Sequence, residues 1–275
     1  HPAPGAWAWT PASGGVPNAD DPAGALVALR RFGSPDERTR AAALGGVAWL
    51  LGVQNRDGGM PTFCRGWGTL PFDCSTPEIT AHALEAWSVW TNDLHSTLRT
   101  RIARAADRAI GFLERTQRED GAWIPLWFGN EAADGEDNPP YGTSRVLLGL
   151  DSELPRADPR STRCRRRGVA WLLDAQNADG GWGGSRGIAS SFEETGIALS
   201  GIARAGMEAD PAVITAVSRG AAWIAAATQD GKTITAAPIG LYFAKLWYYE
   251  ELYPLIFAIA GLSAASRSPN AGSSA

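Results

Sequence analysis

The stretch Gly168–Trp182, GVAWLLDAQNADGGW, decides the fold. Its first nine residues set apolar side chains at three- and four-residue steps, the period of a helix face. Asp179-Gly180 then stops the helix, because glycine takes the left-handed backbone region cheaply. The block recurs as Gln54-Asn55-Arg56-Asp57-Gly58-Gly59-Met60, as Gln117-Arg118-Glu119-Asp120-Gly121-Ala122-Trp123, and in worn form as Gln229-Asp230-Gly231. The leading glutamines lie 63, 59 and 53 residues apart, the length of a helix pair with its loops, so the chain is a repeat protein.

Each block closes a first helix, over Gly46–Gln54, Ala109–Gln117, Gly168–Gln176 and Gly220–Gln229. A second helix follows each, beginning at about Pro77, Tyr141, Ser190 and Tyr242, and an opening helix runs Asp20–Phe32. The second helices carry Ala, Gly and Leu, whereas Glu37–Gln54 and Thr100–Gln117 carry an Arg-rich face. That asymmetry predicts inner and outer helices. Stacked pairs bury a shared core by curling round one axis, so the fold class is all-α, an α/α toroid of four to five pairs. A closed ring of this sort has six, which leaves the ring open or completed by helices upstream of His1. Residues 1–265 read as one domain and 266–275 as a disordered tail. The chain opens without Met and reads as the C-terminal part of something longer.

Composition narrows the function. A net charge of −4 over 275 residues, with a pI near 5.5, gives no basic face and makes nucleic acid an unexpected partner. There is no apolar run of spanning length, while attachment to a membrane surface stays open. Cys64, Cys74 and Cys164 cannot all pair, and none has zinc-site spacing, so they read as reduced thiols in a cytoplasmic setting. Twelve Trp against eight Phe and five Tyr point to a repeated structural use of indole. The repeated Gln is expected to cap a helix end with its amide, with the Trp ring stacked over it, tying neighbouring repeats together.

These Q-x-x-x-G-x-W blocks on paired helices resemble the squalene-hopene cyclases and related class II triterpene cyclases, from Gly5 to about Ser266. The likeness is to their C-terminal, catalytic half. In that family the catalytic motif is D-x-D-D, just after a Gly-x-aromatic segment. Here Gly5-Ala6-Trp7-Ala8-Trp9 precedes Asn18-Ala19-Asp20-Asp21, with Asn18 in the first acid's place and Pro22 where the family has Thr. The resemblance makes Asp20 the proton donor. The family's D-V-T-A-H helix corresponds to Glu78-Ile79-Thr80-Ala81-His82, which makes His82 the acid-activating histidine. Glu78, one turn earlier on the same face, would hold it charged.

The chemistry accounts for the pattern. Protonating an alkene needs a carboxyl that is neutral at rest in a dry cavity, with a cationic donor nearby to ease proton release. Taken singly, Asp20-Asp21 before Pro22 is also an ordinary acidic helix start. A polyene cation then needs walls that stabilise charge without attacking it, which means aromatic faces. Family-matching positions are Trp9, Phe63, Trp127, Tyr141 and Tyr249, expected to converge on one axis. The loops Pro61–Asp73 and Trp127–Asn138 read as a cavity mouth or lid, with Arg65 and Lys245 free to meet an anionic group.

The resemblance implies a hydrophobic isoprenoid substrate, no metal or organic cofactor, peripheral attachment at the inner membrane surface, and room for a homodimer. Three competing readings stand beside it. Prenyltransferase β subunits share helix-pair repeats but need a D-x-C zinc site that Asp73-Cys74 does not form. A glycan-active toroid would pair carboxylates such as Asp20 and Glu78 across an open cleft. A cyclase-like scaffold, eroded at Asn18, would bind an isoprenoid without converting it.

Overall fold

The computed structural model describes residues 4–12, 15–66, 68, 71–207, 209–229, 231–241 and 245–267. The expected tail from 268 onward, Asp230 of the worn block and the helix start at Tyr242 lie outside these residues. The chain divides into two compact units, residues 1–116 with 149–162, and residues 117–148 with 163–275.

The first unit holds α1 (Asp20–Arg31), α2 (Glu37–Val53), α3 (Pro77–Trp90) and α4 (Ser96–Thr116). Helix α3 buries twelve of its fourteen residues, whereas the 21-residue α4 buries eight along one stripe. That is the inner and outer contrast expected from composition. Pro77 sits at the start of α3, where its missing N–H costs nothing, and Asp36 caps α2 by accepting the Thr39 N–H at 2.7 Å. Short strands β1 (Met60–Pro61) and β2 (Ser75–Thr76) pair antiparallel and lead into α3.

Most of α5 (Pro139–Leu150) and of α7 (Pro159–Asp174) belongs to the second unit, whereas the short α6 (Glu153–Arg156) belongs to the first. Then come α8 (Phe192–Ala203), α9 (Pro211–Ala227) and α10 (Leu252–Ser266). All twelve residues of α8 are buried. It meets α10 backbone to backbone: a Cβ on Gly196 would come within 2.3 Å of the Phe257 carbonyl carbon, and one on Gly261 within 2.6 Å of the Gly196 oxygen. One expectation fails here. Among the described residues of the stretch expected to be helical from Tyr242, Leu246–Tyr248 is a strand, β4, which pairs with β3 (Ile239–Leu241), Gly240 opposite Trp247, and α10 begins only at Leu252. The Leu-Trp-Tyr run is β-favouring and has no helical period, and tight pairing at Gly240 leaves no room for a side chain.

The block is a stitch between consecutive outer helices. Gln54 Nε2 donates to the Gly58 carbonyl at 2.8 Å and to Ala105 on α4 at 2.9 Å. Gln117 does the same to Gly121 and Cys164, and Gln176 to Gly180 and Ala216, all at 2.8 to 3.0 Å. The amide therefore reaches forward to the next outer helix rather than capping its own. Gly58, Gly121 and Gly180 have φ of 94°, 103° and 98°. A Cβ there would fall 2.3, 2.5 and 2.9 Å from the carbonyl oxygens of Arg108, Arg167 and Arg219, so glycine is required twice over. Those arginines grip the turn in return, Arg167 donating to Arg118 O at 2.6 Å and Arg219 to Asn177 O at 2.8 Å.

The aromatic of the block packs on a helical glycine of the outer helix. A Cβ on Gly168 would meet Trp123 at 3.0 Å, and one on Gly220 would meet Trp182 at 2.7 Å. Gly46 stands in the same relation to Trp7, at 2.6 Å, which makes Gly5-Ala6-Trp7 a further copy of the block's end. Each block's last residue also donates its backbone N–H to an inner-helix threonine: Met60 to Thr80, Trp123 to Thr143 and Trp182 to Thr195, at 2.8 to 3.0 Å.

Candidate active site

The first turn of α1 and the middle of α3 bring the predicted acid and histidine together. Asp20 Oδ1 lies 2.6 Å from His82 Nδ1, across 62 residues of sequence. The imidazole is nearly buried, and a Cβ on Gly24, one turn along α1, would touch its Cε1 at 3.5 Å. The Asp20 side chain keeps 41% of its surface exposed, so the dry surroundings expected for the acid are not formed by the first unit around it.

Asn18 organises the turn. Its Oδ1 accepts the backbone N–H groups of Asp20 and Asp21 at 2.9 and 2.8 Å, and its Nδ2 donates to Asp21 Oδ2 at 2.8 Å. An aspartate could make the first two bonds but not the third. Burial, and then the Asp20 charge, push the Asp21 carboxyl above the ordinary range, against the Asn18 bond and the charge of His82. Glu78 is buried one turn before His82 and accepts the Thr76 hydroxyl.

The five predicted wall residues fall in both units. In the first, Trp9 is 72% exposed, beside the Ala8 to Pro17 bridge, while half-buried Phe63 meets Phe72 edge to face at 4.8 Å. In the second, Trp127 is half-buried and hydrogen-bonded to Tyr248, and Tyr249 is 65% exposed. Tyr141 belongs to a cluster with Phe128 at 4.6 Å and Phe257 at 6.3 Å, to which Tyr253 adds a fourth ring. The two cations proposed for an anion are engaged otherwise: Arg65 donates to the Gly52 carbonyl near the end of α2, and Lys245 pairs with Glu136. No group of three or more metal-ligating side chains occurs among the described residues.

The aromatic cluster lines a small pocket of about 10 Å³, room for a single water, with Glu193 and Glu194 in its wall. Sequence reasoning passed over both. Ser191-Phe192-Glu193-Glu194 reads as a helix start, and Ser191 caps it, its Oγ accepting the Glu194 N–H at 3.1 Å while the Glu194 carboxylate accepts the Ser191 hydroxyl. Glu194 also accepts Asn130 at 3.3 Å and Asn138 at 2.8 Å. Glu193 accepts the Ala237 N–H at 2.8 Å. The repeat register was the available signal: Glu78, Tyr141 and Glu193 each stand two residues before the threonine that receives the block's N–H.

Residues 1–266 match the family described as squalene-hopene cyclase C-terminal domain. Enfumafungin synthase of Hormonema carpetanum is 32% identical over 65% of this chain and 14% of its own. Drimenyl diphosphate synthase of Streptantibioticus cattleyicolor is 31% identical over 74% of this chain and 34% of its own. The chain thus spans well under half the length of the curated relatives it matches. A type II terpene cyclase from Scytonema, solved with geranylgeranyl dihydroxybenzoate as substrate, superposes with a TM-score of 0.70 at 16% identity. That alignment covers 97% of this chain and 78% of that one. The likeness is one of fold, and bears out the all-α, α/α toroid class.

Proposed function

Because the chain belongs to the squalene-hopene cyclase C-terminal domain family, we propose that it supplies the acid half of a class II terpene cyclase. In this reading Asp20 protonates the terminal alkene or epoxide of a linear isoprenoid. The observation that carries it is the 2.6 Å contact between Asp20 and His82, formed by the two segments that match the family's acid and histidine motifs. With His82 Nδ1–H donating to Oδ1, the carboxylate left behind is stabilised, which makes the proton on Oδ2 easier to release. That proton adds to one alkene carbon, the π pair becomes the new C–H bond, and the adjacent carbon is left cationic. Successive alkenes of the chain then attack it, steered by aromatic faces such as Phe63 in the same unit as Asp20. Asp21 and Asn18 fix the turn that aims Asp20, and Glu78 supports the charged imidazole from one turn away.

Attachment to a lipid surface fits the same reading. No helix of the described residues is long and apolar enough to cross a membrane. Yet Leu252, Leu255, Ile256 and Ile259 are 43 to 62% exposed along one side of α10, a row suited to the interface between headgroups and acyl chains. The three free cysteines accord with a reducing, cytoplasmic compartment.

The test is incubation with squalene and with shorter polyprenyl substrates in detergent, analysed by gas chromatography and mass spectrometry beside Asp20→Asn. Cyclic product that disappears in the variant supports the acid assignment. A folded protein with no product from any substrate points to an isoprenoid-binding scaffold instead.

A further inference from the structure

Helix α1 carries Asp20 at one end and is held to α3 at the other. At its start Asp20 Oδ1 lies 2.6 Å from His82 Nδ1, and Gly24, one turn on, abuts the imidazole. Farther along, Trp90 at the end of α3 donates its indole N–H to the Leu26 carbonyl at 2.8 Å, and both residues are fully buried. Arg30 lies over the same indole at 5.6 Å and pairs with Asp93, while Arg31 reaches Glu85 on α3 at 3.0 Å. Those two ion pairs end on arginine side chains that are 37 and 65% exposed, so water and salt weaken them. The indole bond is the contact of fixed length in a dry place.

The repeat does not call for this bond. Trp90 stands ten residues after Thr80, and the same register after Thr143 and Thr195 gives Glu153 and Ala205. Trp87, one turn earlier on α3, is equally buried, and its Nε1 has no hydrogen-bond partner among the described residues. Burying an indole on α3 and bonding it to α1 are therefore separable, and Trp90 does both.

A helix is stiff along its axis. With a rise of about 1.5 Å per residue, Asp20 lies about 9 Å from Leu26, and a slip of α1 at Leu26 arrives there undiminished. A short charge-assisted hydrogen bond does not survive a displacement of about 1 Å.

We infer that Trp90 is a positioning residue for Asp20: its N–H, bonded to Leu26, sets where α1 stands along α3 and thereby the length of the Asp20–His82 contact. The contact is a structural quantity, while its use in catalysis rests on Asp20 being the acid.

The test is nuclear magnetic resonance of the full chain carrying isotope-labelled histidine. A proton in a short charge-assisted bond resonates far downfield and exchanges slowly, and that of His82 is identified by its loss in Asp20→Ala. Trp90→Phe, which keeps a buried ring and deletes the N–H, should move the signal upfield and speed its exchange with water roughly five- to tenfold, the factor for one net hydrogen bond. Trp87→Phe, which removes as much buried ring, should leave the signal in place. Benzothienylalanine in place of Trp90 keeps the indole shape with sulfur for the N–H, and should reproduce Trp90→Phe without a cavity. Where the wild type forms cyclic product, Trp90→Phe should lower kcat and leave KM within about twofold, because the group displaced is the acid and not a substrate contact. Absence of the signal from wild type, an unchanged signal in both replacements of Trp90, or equal changes from Trp87→Phe and Trp90→Phe overturns the positioning role. Expected signal changes with no product from any substrate support the positioning role and overturn the acid reading alone.

Discussion

Gly220 on α9 should tolerate alanine only if Trp182 is made smaller. A Cβ at Gly220 would lie 2.7 Å from Trp182 Cζ3 and 2.8 Å from Leu199 Cδ2, against about 3.5–4.0 Å for relaxed carbon contacts. Both neighbours are fully buried, and the indole Nε1 is tied to the Leu172 carbonyl at 2.8 Å, so neither can swing aside. Overpacking of this kind costs about 1–3 kcal/mol, with the upper half of that range fitting a pinned ring. Replacing a mid-helix glycine returns about 1 kcal/mol. Gly220→Ala should therefore lose about 1–2 kcal/mol net. The first unit shows the way out by register: where the block ends in Met60 instead of Trp, the outer-helix position is Ala109 instead of Gly. In a Trp182→Met background the methyl has room, so the same Gly220→Ala change should stabilise, giving a coupling of about 2–3 kcal/mol. Urea unfolding of the four proteins, followed by fluorescence and far-ultraviolet circular dichroism, measures the cycle through the midpoint at constant slope. A Gly220→Ala protein that is more stable than wild type by the same amount in both backgrounds would refute the packing argument.

Three further outcomes follow from other sites. The folded Glu193 carboxyl sits near 7 against 4.5 for the free group, so its contribution is complete below about pH 4.5 and is lost as pH rises through 7. At pH 8 Glu193→Gln should thus gain on wild type by about 3 kcal/mol, and the two unfolding curves should converge toward pH 4. Asn18→Asp replaces the donor to Asp21 with a second carboxylate at the same 2.8 Å position, which raises the folded pKa of the pair. The variant's deficit in melting temperature should be largest at pH 7 and shrink on acidification; a pH-independent deficit would show the amide bond to be incidental. Flotation with anionic lipid vesicles should recover the wild-type chain but not the Ile256→Glu/Ile259→Glu double variant, both positions lying on the exposed row of α10. Loss of a dimer on gel filtration, with flotation unchanged, would assign that row to self-association.

The sequence by itself determined the repeat and its grammar. The Gln, the Asp-Gly stop and the aromatic recur at helix-pair spacing, because each repeat must solve the same problem of turning the chain and docking on the next helix. The N-termini of α1, α3 and α8 were legible for similarly local reasons: Asp20-Asp21 ahead of Pro22, Pro77 at the start of α3, and a serine before Glu193-Glu194. The family resemblance singled out Asp20 and His82, but nothing in their local pattern puts them 2.6 Å from one another. What only the tertiary structure decided are the pairings across long separations. Arg65 and Lys245 looked available and are engaged by Gly52 and Glu136. The run from Tyr242 looked helical, and its described residues Leu246–Tyr248 pair as β4 with β3, since hydrogen bonding to a partner strand carries no signature within the strand itself. Glu193 and Glu194 are neighbours of identical chemistry, and one is held by Ser191, Asn130 and Asn138 while the other accepts the Ala237 N–H in the wall of an aromatic pocket. Which partners a side chain finds depends on what the rest of the fold brings to it, and one-dimensional spacing does not encode that.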